Sequence, residues 1–227
     1  MSNVFANVQY LINFRRTFLG APILSIRDPD AISQAVTALE AGELIIVPTE
    51  TIYGLAASPK SSGVIDHLYE VRERAPEPAI PFLMADDGYM ETLARPTPVA
   101  YRLARRFWPG ALTLILAPGP NLGATLRASP IALRVPHYPD VIPLLEATGG
   151  YLMVTGAIRS GYPPAITARE AAHFFAEEVS LILDGGQSPF GIPSTIVDCV
   201  ASPPKVRRRG VISEGKIRAC LASLTVE

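Results

Sequence analysis

Apolar residues along this chain recur in two alternating spacings, one typical of helices and one typical of buried strands. The first helical stripe has apolar residues at i, i+3, i+4 and i+7, namely Ile32, Ala35, Val36 and Leu39. Asp30 can cap this helix, and Gly42 follows it as a stop. The short apolar run 44–47 then ends at Pro48, which predicts a buried strand.

The same alternation continues along the chain and predicts one α/β domain. Helical stripes recur at 64–71 and 99–107. Further helices are predicted at 139–148, 167–178 and 213–223, and strands at 80–84, 111–117, 131–135, 151–155, 181–183, 194–197 and 205–209. Strands that are mostly separated by helices favour a single open twisted sheet. We interpret residues 1–22 as an N-terminal extension and residues 23–227 as the domain.

The composition is that of a folded protein whose overall charge does not attract nucleic acid. Apolar residues make up 48% of the 227 residues and charged residues 18%, and the formal net charge is −1. Any RNA contact must therefore depend on a local basic patch. Cys199 and Cys220 have neither metal-ligand spacing nor a disulfide framework, which fits a reducing cytosol. No run reaches the roughly 20 apolar residues of a membrane helix, so we expect a cytoplasmic protein without a membrane partner.

Several common catalytic motifs are absent from the sequence. It contains no G-x-x-x-x-G-K-[ST] phosphate loop, no G-x-G-x-x-G after a strand, no H-E-x-x-H and no G-x-S-x-G. The three histidines, His67, His137 and His173, are far apart in sequence. These absences exclude P-loop NTPases, standard dehydrogenases, zinc enzymes and α/β-hydrolases.

The segment 48–55 places hydroxyl groups directly after a predicted buried strand. Its sequence, P-T-E-T-I-Y-G-L, contains Thr49, Thr51 and Tyr53 beside Glu50. Because ligands of open α/β sheets bind in the loops that follow strands, these side chains could hold a small polar ligand. An ordinary turn, in which Thr49 or Thr51 caps the next element, fits the same residues.

Arginines supply the candidate anion sites. Arg72 and Arg74 follow a helical stripe and could clamp a phosphate or carboxylate, although cations at a helix C-terminus also simply complement the helix dipole. Arg134 lies inside an apolar strand, so it needs an anionic partner from the protein or from a ligand. The basic run 207–209 is either solvated surface or a phosphate contact.

The segment 184–198 is a glycine-rich connection between two predicted strands. Its sequence, D-G-G-Q-S-P-F-G-I-P-S-T-I-V-D, allows the backbone to approach a ligand closely. A wide hairpin or a crossover loop without a ligand fits the same sequence.

Four motifs, taken in order, resemble the YrdC/TsaC family. They are P-T-E-T-I-Y-G-L at 48–55, F-W-P-G-A-L-T-L-I-L at 107–116, L-R-V-P at 133–136 and G-I-P-S-T-I-V-D at 191–198, and the similarity spans about residues 25–220. Members of this family join L-threonine, bicarbonate and ATP into L-threonylcarbamoyladenylate for the threonylcarbamoyladenosine modification of tRNA. The resemblance implies a single-domain, open mixed α/β sheet with a concave, positively lined cavity.

The resemblance also implies roles for individual residues. L-Threonine would be held by Thr49, Thr51, Tyr53 and Ser194, together with Arg74. ATP, carrying Mg2+ as a substrate, would be held by Arg72, Thr155, Gly156 and Arg209. Catalysis would come from positioning anions against Arg72, Arg74 and Arg134, and no tightly bound metal is expected.

The departures from the family lie mostly on the nucleotide side. The K-x-R motif reads R-E-R at 72–74, and the S-x-N motif reads G-A-I at 156–158. Each lost hydrogen bond to a charged phosphate is worth roughly 1.5–3 kcal/mol. Three hypotheses therefore stay open. The chain is a nucleotidyltransferase of the threonylcarbamoyl-AMP synthase type, or it is a degenerate paralogue that binds double-stranded RNA, tRNA or nucleotide. The third hypothesis is an enzyme with a changed substrate, for which Ile158 enlarges the apolar lining.

Overall fold

The computed structural model of the chain describes residues 20–61, 63–73, 79–120, 122, 126 and 129–222. Its α-helices are α1 (Pro29–Glu40), α2 (Val64–Val71), α3 (Met90–Leu93), α4 (Pro98–Phe107), α5 (Ile142–Ala147), α6 (Ala168–Phe175) and α7 (Glu214–Ala222). Short 3-10 turns at Asp87–Tyr89 and Pro139–Val141 lead into α3 and α5. Each helix predicted from the periodicity is present, with ends that differ by a few residues.

The described strands form an open mixed sheet. They are β1 (Ile23–Ser25), β2 (Ile45–Val47), β3 (Gly54–Ala57), β4 (Ile80–Met84), β5 (Ala94–Arg95), β6 (Leu112–Pro118), β7 (Ile131–Arg134), β8 (Tyr151–Gly156), β9 (Leu181–Asp184), β10 (Thr195–Asp198) and β11 (Lys205–Arg208). Their hydrogen-bonded order is β1-β9-β2-β3-β8-β4-β7-β6-β10-β11, and β5 pairs with β6. The sheet contains parallel pairs such as β4–β7 and antiparallel pairs such as β6–β7. The predicted fold class is confirmed.

Strand β3 begins inside the segment 48–55, which was interpreted from the sequence as a loop after β2. Its residues are glycine, leucine and two alanines, none of which is a strong strand former. It is nevertheless buried throughout and pairs with β2 on one side and β8 on the other. Tertiary pairing therefore outweighs the weak local propensity at this position.

The first turn of α1 corrects the predicted helix cap. Asp28, and not Asp30, occupies the N-cap position, where its side chain accepts a hydrogen bond from the Asp30 backbone amide at 2.9 Å. Pro29 takes the first helical position, which suits a residue without a backbone N–H. Asp30 is consequently an acidic residue of the first turn, where it complements the helix dipole.

Two hydrophobic clusters pack on opposite faces of the sheet, as the alternation of side chains along strands requires. Leu55 and Phe82 belong to the first cluster, whereas their chain neighbours Ala56 and Leu83 belong to the second. Helices α2, α4 and α6 contribute to the first cluster, and α1 and α5 to the second. The second cluster reaches only as far as β4, which leaves the rest of that face available for a site.

The glycine-rich segment after β9 is a crossover and not a hairpin. Strand β9 lies between β1 and β2, whereas β10 lies between β6 and β11, so the connection passes over the middle of the sheet. It is anchored to the turn after β2, because Ser188 Oγ donates to Thr49 O at 2.9 Å and Phe190 N donates to Glu50 O at 3.0 Å. The crossover therefore closes over the segment 48–55.

Most of the predicted N-terminal extension, residues 1–19, lies outside the described residues, so its separation from the domain stays a prediction. Among the residues that are described, no helix has the length and apolar character needed to cross a bilayer.

Candidate functional site

A cavity of about 650 Å³, counting space open to solvent, lies on the second face of the sheet, where Leu83, Thr113 and Ala132 are among its lining residues. Its floor runs across neighbouring strands from β3 to β11. It brings together most of the predicted site residues, namely Thr49, Thr51, Tyr53, Arg72, Arg134, Thr155, Gly156 and Ser194. Arg209 does not line the cavity, and Arg74 lies outside the described residues.

The turn after β2 is built on the side chain of Thr49. Its hydroxyl donates to Ile52 O at 2.6 Å and accepts from the backbone amides of Thr51 at 3.2 Å and Ile52 at 3.3 Å. Thr49 Oγ1 also lies 2.8 Å from Thr51 Oγ1. Both side chains are almost fully buried. Thr49 therefore has the turn-forming role that was one of the two interpretations of this segment, and Thr51 is the hydroxyl whose surroundings it fixes.

Arg134 has its anionic partner within the protein. Its Nη2 lies 2.7 Å from Glu50 Oε2, and its Nη1 donates to Thr51 Oγ1 at 2.8 Å. Its Nε donates to Gly110 O at 3.0 Å, while Glu50 Oε1 accepts from the His137 backbone amide at 3.0 Å. Burial lowers the pKa of Arg134 and the Glu50 carboxylate opposes that effect. The guanidinium is thus held at three points and its charge is balanced before any ligand arrives.

Arg72 enters the cavity from the end of α2. It is 1% exposed, and its Nη1 donates to Thr155 Oγ1 on β8 at 2.5 Å. The helix-terminal arginine is therefore turned inward instead of only complementing the helix dipole from the surface. The structure describes Arg72, whereas Arg74, the other arginine of the R-E-R segment, lies outside the described residues.

Arg208, not Arg209, faces the cavity from β11. Its Nε donates to Ser194 O and its Nη2 to Ser194 Oγ, both at 3.1 Å, and Ser194 Oγ lies 2.7 Å from Thr113 Oγ1. The Arg209 side chain is 85% exposed and pairs with Glu214 at 3.2 Å. Arg208 is the last residue of β11 and pairs with Ile196, which also lines the cavity, whereas Arg209 follows the end of the strand. This register corrects the placement of Arg209 at the nucleotide.

Three arginine–hydroxyl pairs consequently line one cavity. They are Arg72 with Thr155, Arg134 with Thr51, and Arg208 with Ser194. Because guanidinium groups only donate hydrogen bonds, each of these hydroxyl oxygens acts as an acceptor toward its arginine. The cavity thus combines positive charge with hydroxyl groups of fixed orientation, an arrangement suited to small anionic and zwitterionic ligands.

Tyr53 and Tyr138 hold the beginning of the crossover with their hydroxyl groups. Tyr53 Oη donates to Gly186 O at 2.6 Å, and Tyr138 Oη donates to Gly185 O at 2.7 Å. Burial raises the pKa of Tyr53, a hydrogen bond from the Gly185 amide opposes this, and nearby Asp184 raises the pKa further. The Tyr53 hydroxyl therefore stays protonated and committed to the loop. A contact between Tyr53 and a substrate would therefore use the carbon atoms of the ring, unless the hydroxyl leaves Gly186 O.

An aliphatic wall occupies the position of the S-x-N motif. Ile52, Gly156 and Ile158 all line the cavity. A Cβ atom on Gly156 would lie 2.8 Å from Ile52 Cδ1 and 3.3 Å from Ile158 Cδ1. The glycine and the two isoleucines thus form one packing unit, in which the branched side chains fill the space above the glycine.

Comparison with known proteins identifies the family. The Sua5/YciO/YrdC family model, described as "Telomere recombination", matches residues 37–210. The chain belongs to this family. The match includes all four motifs found in the sequence, and it confirms the resemblance to YrdC/TsaC proteins.

Curated relatives within the Sua5/YciO/YrdC family carry a common name. A threonylcarbamoyl-AMP synthase of Bacillus subtilis is 34% identical over 210 residues, which cover 90% of this chain and 60% of that protein. A putative threonylcarbamoyl-AMP synthase of Mycobacterium tuberculosis is 34% identical over 193 residues, covering 84% of this chain and 88% of that protein. The chain therefore spans about 60% of the first relative and most of the second.

Solved structures of the same family share the fold. Pyrococcus abyssi Sua5, whose structure was determined in complex with L-threonine, aligns with a TM-score of 0.80 at 28% identity, over 88% of this chain and 60% of that chain. Escherichia coli YciO aligns with a TM-score of 0.76 at 24% identity, over 87% and 98% of the two chains. The YciO comparison supports the fold alone.

Several residues at the site were not singled out by the sequence analysis. Thr113 lies within a quoted motif, but its hydroxyl gave no separate signal. Ile52 looked like an apolar spacer between two polar positions. Arg208 could not have been chosen over Arg209 from strand alternation, because the register of β11 shifts between Val206, which packs against the first cluster, and Arg208, which lines the cavity. Glu50 was noted as a carboxylate of the turn, but its pairing with Arg134 depends on the fold.

Proposed function

We propose that this chain is a threonylcarbamoyl-AMP synthase, which condenses L-threonine, bicarbonate and ATP for the threonylcarbamoyladenosine modification of tRNA. Membership in the Sua5/YciO/YrdC family and the relatives of that name support the proposal. The observation that carries it is the convergence of three arginine–hydroxyl pairs on one cavity. We place the activity in the cytoplasm, with tRNA as the downstream partner.

The reaction needs no protein nucleophile. Bicarbonate takes up a proton and splits into CO2 and water. The neutral amine of threonine then attacks the CO2 carbon and loses a proton to give a carbamate, which balances the proton taken up by bicarbonate. A carbamate oxygen then attacks the α-phosphorus of ATP, and the bond to the bridging oxygen breaks so that pyrophosphate leaves with its electron pair. The carbamate, ATP, the adenylate product and pyrophosphate are all anionic. The contribution of the protein is to position these anions and to exclude water from them.

We assign the positive charge for these steps to Arg72 and Arg208. Arg72 is almost fully buried at the Thr155 side of the cavity, and Arg208 lies at Ser194. Arg208 takes the nucleotide-side role that the resemblance had given to Arg209. ATP is the nucleotide substrate, and Mg2+ is expected to enter on its phosphates, because this ion is usually bound through substrate phosphates and one or two carboxylates.

Pyrophosphate release tests the proposal. The wild-type chain is expected to release pyrophosphate only when ATP, L-threonine and bicarbonate are all present. Arg72→Ala and Arg208→Ala should each reduce the rate about 10- to 100-fold, since a hydrogen bond to a charged group is worth roughly 1.5–3 kcal/mol. Arg209→Ala is the matched control, because the neighbouring side chain is 85% exposed and should leave the rate within about twofold.

Two results would contradict the proposed function or its assignment of Arg208. A wild-type chain that releases no pyrophosphate above background would refute the synthase. It would leave the degenerate RNA or nucleotide binder, which calorimetry with ATP-Mg2+ and with double-stranded RNA would then separate. An equal loss in Arg208→Ala and Arg209→Ala would refute the assignment of Arg208.

A further inference from the structure

The loop that follows β8, residues 157–165, continues the aliphatic wall of the cavity. It is closed at its base, where Ala165 N donates to Ala157 O at 3.0 Å. Ile158 lines the cavity, whereas the next residue, Arg159, is not among the lining residues. Neighbouring side chains of this loop therefore have different surroundings, and Arg159 is not placed to touch a ligand in the cavity.

Arg159 fastens this loop to the end of α6 and to the turn that follows it. Its Nη2 lies 2.5 Å from Glu178 Oε1, and its guanidinium carbon lies 5.3 Å from the centre of the Phe175 ring. The side chain of Arg159 is 22% exposed, and Phe175 is fully buried. A pair that is partly shielded from water is screened less than a surface pair, and the aromatic face adds its own attraction for the cation. The guanidinium is thus held by both a charge and a ring.

The same loop also contacts the end of α2. Ser160 N donates to Arg72 O at 3.3 Å, and Arg159 Nε lies 3.8 Å from Glu73 Oε1. Glu73 has a φ of 52°, which lies in the left-handed region that is unfavourable for a residue with a Cβ atom. Its backbone amide bonds to Glu70 O at 2.9 Å. Contacts from outside the helix therefore help to keep this junction in its conformation, and the loop after β8 supplies them.

Arg72 is held at two points by one short segment of chain. Its side chain donates to Thr155 Oγ1 at 2.5 Å, and its main-chain oxygen accepts from Ser160 N. Both partners belong to the segment 155–160. A shift of this segment would move both contacts together, so the position of the buried guanidinium depends on what fixes the segment to the rest of the protein.

We propose that Arg159 is a positioning residue, which anchors the segment 155–160 to the end of α6 through Glu178 and thereby holds the Arg72 guanidinium in the cavity. This inference rests on the proposed function, in which Arg72 supplies positive charge to the reacting anions. Arg159 acts through Arg72 and touches no substrate. A misplacement of about 1 Å in such a group is enough to slow a reaction substantially.

The kinetic test measures pyrophosphate release by Arg159→Gln and Arg72→Ala, alone and combined. Arg159→Gln should lower kcat/KM for ATP about tenfold, while the KM for L-threonine stays within about twofold of wild type. In the Arg72→Ala background the same substitution should change kcat/KM for ATP by less than about twofold, because the group that it positions is already missing. Arg159→Lys keeps the positive charge beside Glu178 and should lose no more than about threefold.

A second measurement does not depend on activity. Hydrogen exchange of the Ser160 amide, followed by NMR, reports its contact with Arg72 O. This exchange should be about tenfold faster in Arg159→Gln than in wild type, while the Tm falls by less than about 4 °C. Arg169→Gln is the matched control, because Arg169 is exposed on α6, and it should leave the kinetics and the exchange within about twofold of wild type.

The outcomes separate this inference from the proposed function. If Arg159→Gln lowers kcat/KM for ATP equally with and without Arg72, the loss does not act through Arg72 and the positioning role is overturned. It is also overturned if Arg159→Gln behaves like Arg169→Gln, or if the KM values of both substrates rise together with a large fall in Tm, as a merely structural role predicts. A wild-type chain that releases no pyrophosphate overturns the proposed function instead, and the exchange rate of the Ser160 amide then decides by itself whether Arg159 holds Arg72 in place.

Discussion

The aliphatic wall at Gly156 leads to a quantitative prediction about packing. Gly156 is not among the residues with positive φ, so an L-amino acid can adopt its backbone conformation without strain. The obstacle to a side chain is steric, since its Cβ would lie 2.8 Å from Ile52 Cδ1, and Ile52 is 6% exposed. Gly156→Ser is therefore expected to destabilise the fold through overpacking and not through the backbone.

The magnitude follows from two opposing effects. Overpacking of a close-packed site costs about 1–3 kcal/mol. Replacing glycine stabilises the folded state by about 0.4–1 kcal/mol, because the unfolded chain loses conformational freedom. The net cost is then between about 0 and 2.6 kcal/mol, which corresponds to a fall in Tm of up to roughly 10 °C for a domain of this size.

Thermal and urea unfolding of a double-mutant cycle is the assay. Ile52→Val removes the atom that the new Cβ would meet and should cost about 0.5–1.5 kcal/mol alone. In the double variant the clash is relieved, so the combined cost should be smaller than the sum by about 1 kcal/mol or more. Gly215→Ser is the matched control, because a Cβ there meets nothing within 4 Å. It should leave the Tm within about 2 °C of the wild-type value.

Two results would refute this reasoning. If Gly156→Ser alone raised the Tm, the packing unit would have space that the geometry does not show. If the costs of Gly156→Ser and Ile52→Val were additive within about 0.3–0.5 kcal/mol, the two positions would be independent. In either case the loss of the S-x-N side chains would need an explanation other than steric exclusion.

Three other predictions test the remaining buried groups. Glu50→Ala should lower the free energy of unfolding in urea by about 3–5 kcal/mol, because Arg134 stays buried without its carboxylate. The double variant Glu50→Leu with Arg134→Met should lose much less. Equal losses would contradict a buried pair. Burial raises the pKa of Asp198, but hydrogen bonds from Arg207 and from two backbone amides together outweigh burial. The net effect is a pKa below the usual 3.8. The stabilisation of the fold by the Asp198 carboxylate is present above the unfolded pKa and is lost as the pH falls through the folded pKa. Arg207→Ala should therefore flatten the fall of Tm below about pH 4. An unchanged slope would contradict the pairing. Burial raises the pKa of Cys199 to about 12, so its thiol should resist iodoacetamide at pH 8 until the chain unfolds, and labelling of the native chain by mass spectrometry would refute this.

The sequence was sufficient for the fold class, and most of the site residues predicted from it line the cavity. Helical stripes and buried runs are local patterns, and they are reliable where the apolar face of one element must meet another. Thr49, Thr51 and Ser194 were found because they belong to short motifs whose residues are close together along the chain. The sequence also required that Arg134 have an anionic partner, since an unpaired charge in an apolar strand is too costly.

Only the tertiary structure decided which groups actually meet. Glu50 became the partner of Arg134 because the fold brings together residues that are distant in sequence. The choice of Arg208 over Arg209 depended on the register of β11, since a shift of one residue turns a side chain to the other face of the sheet. The contact of Ile52 with Gly156 depended on the pairing of β3 with β8. Local sequence determines which elements form, whereas the pairing and facing of side chains depend on packing between elements, which no local pattern encodes.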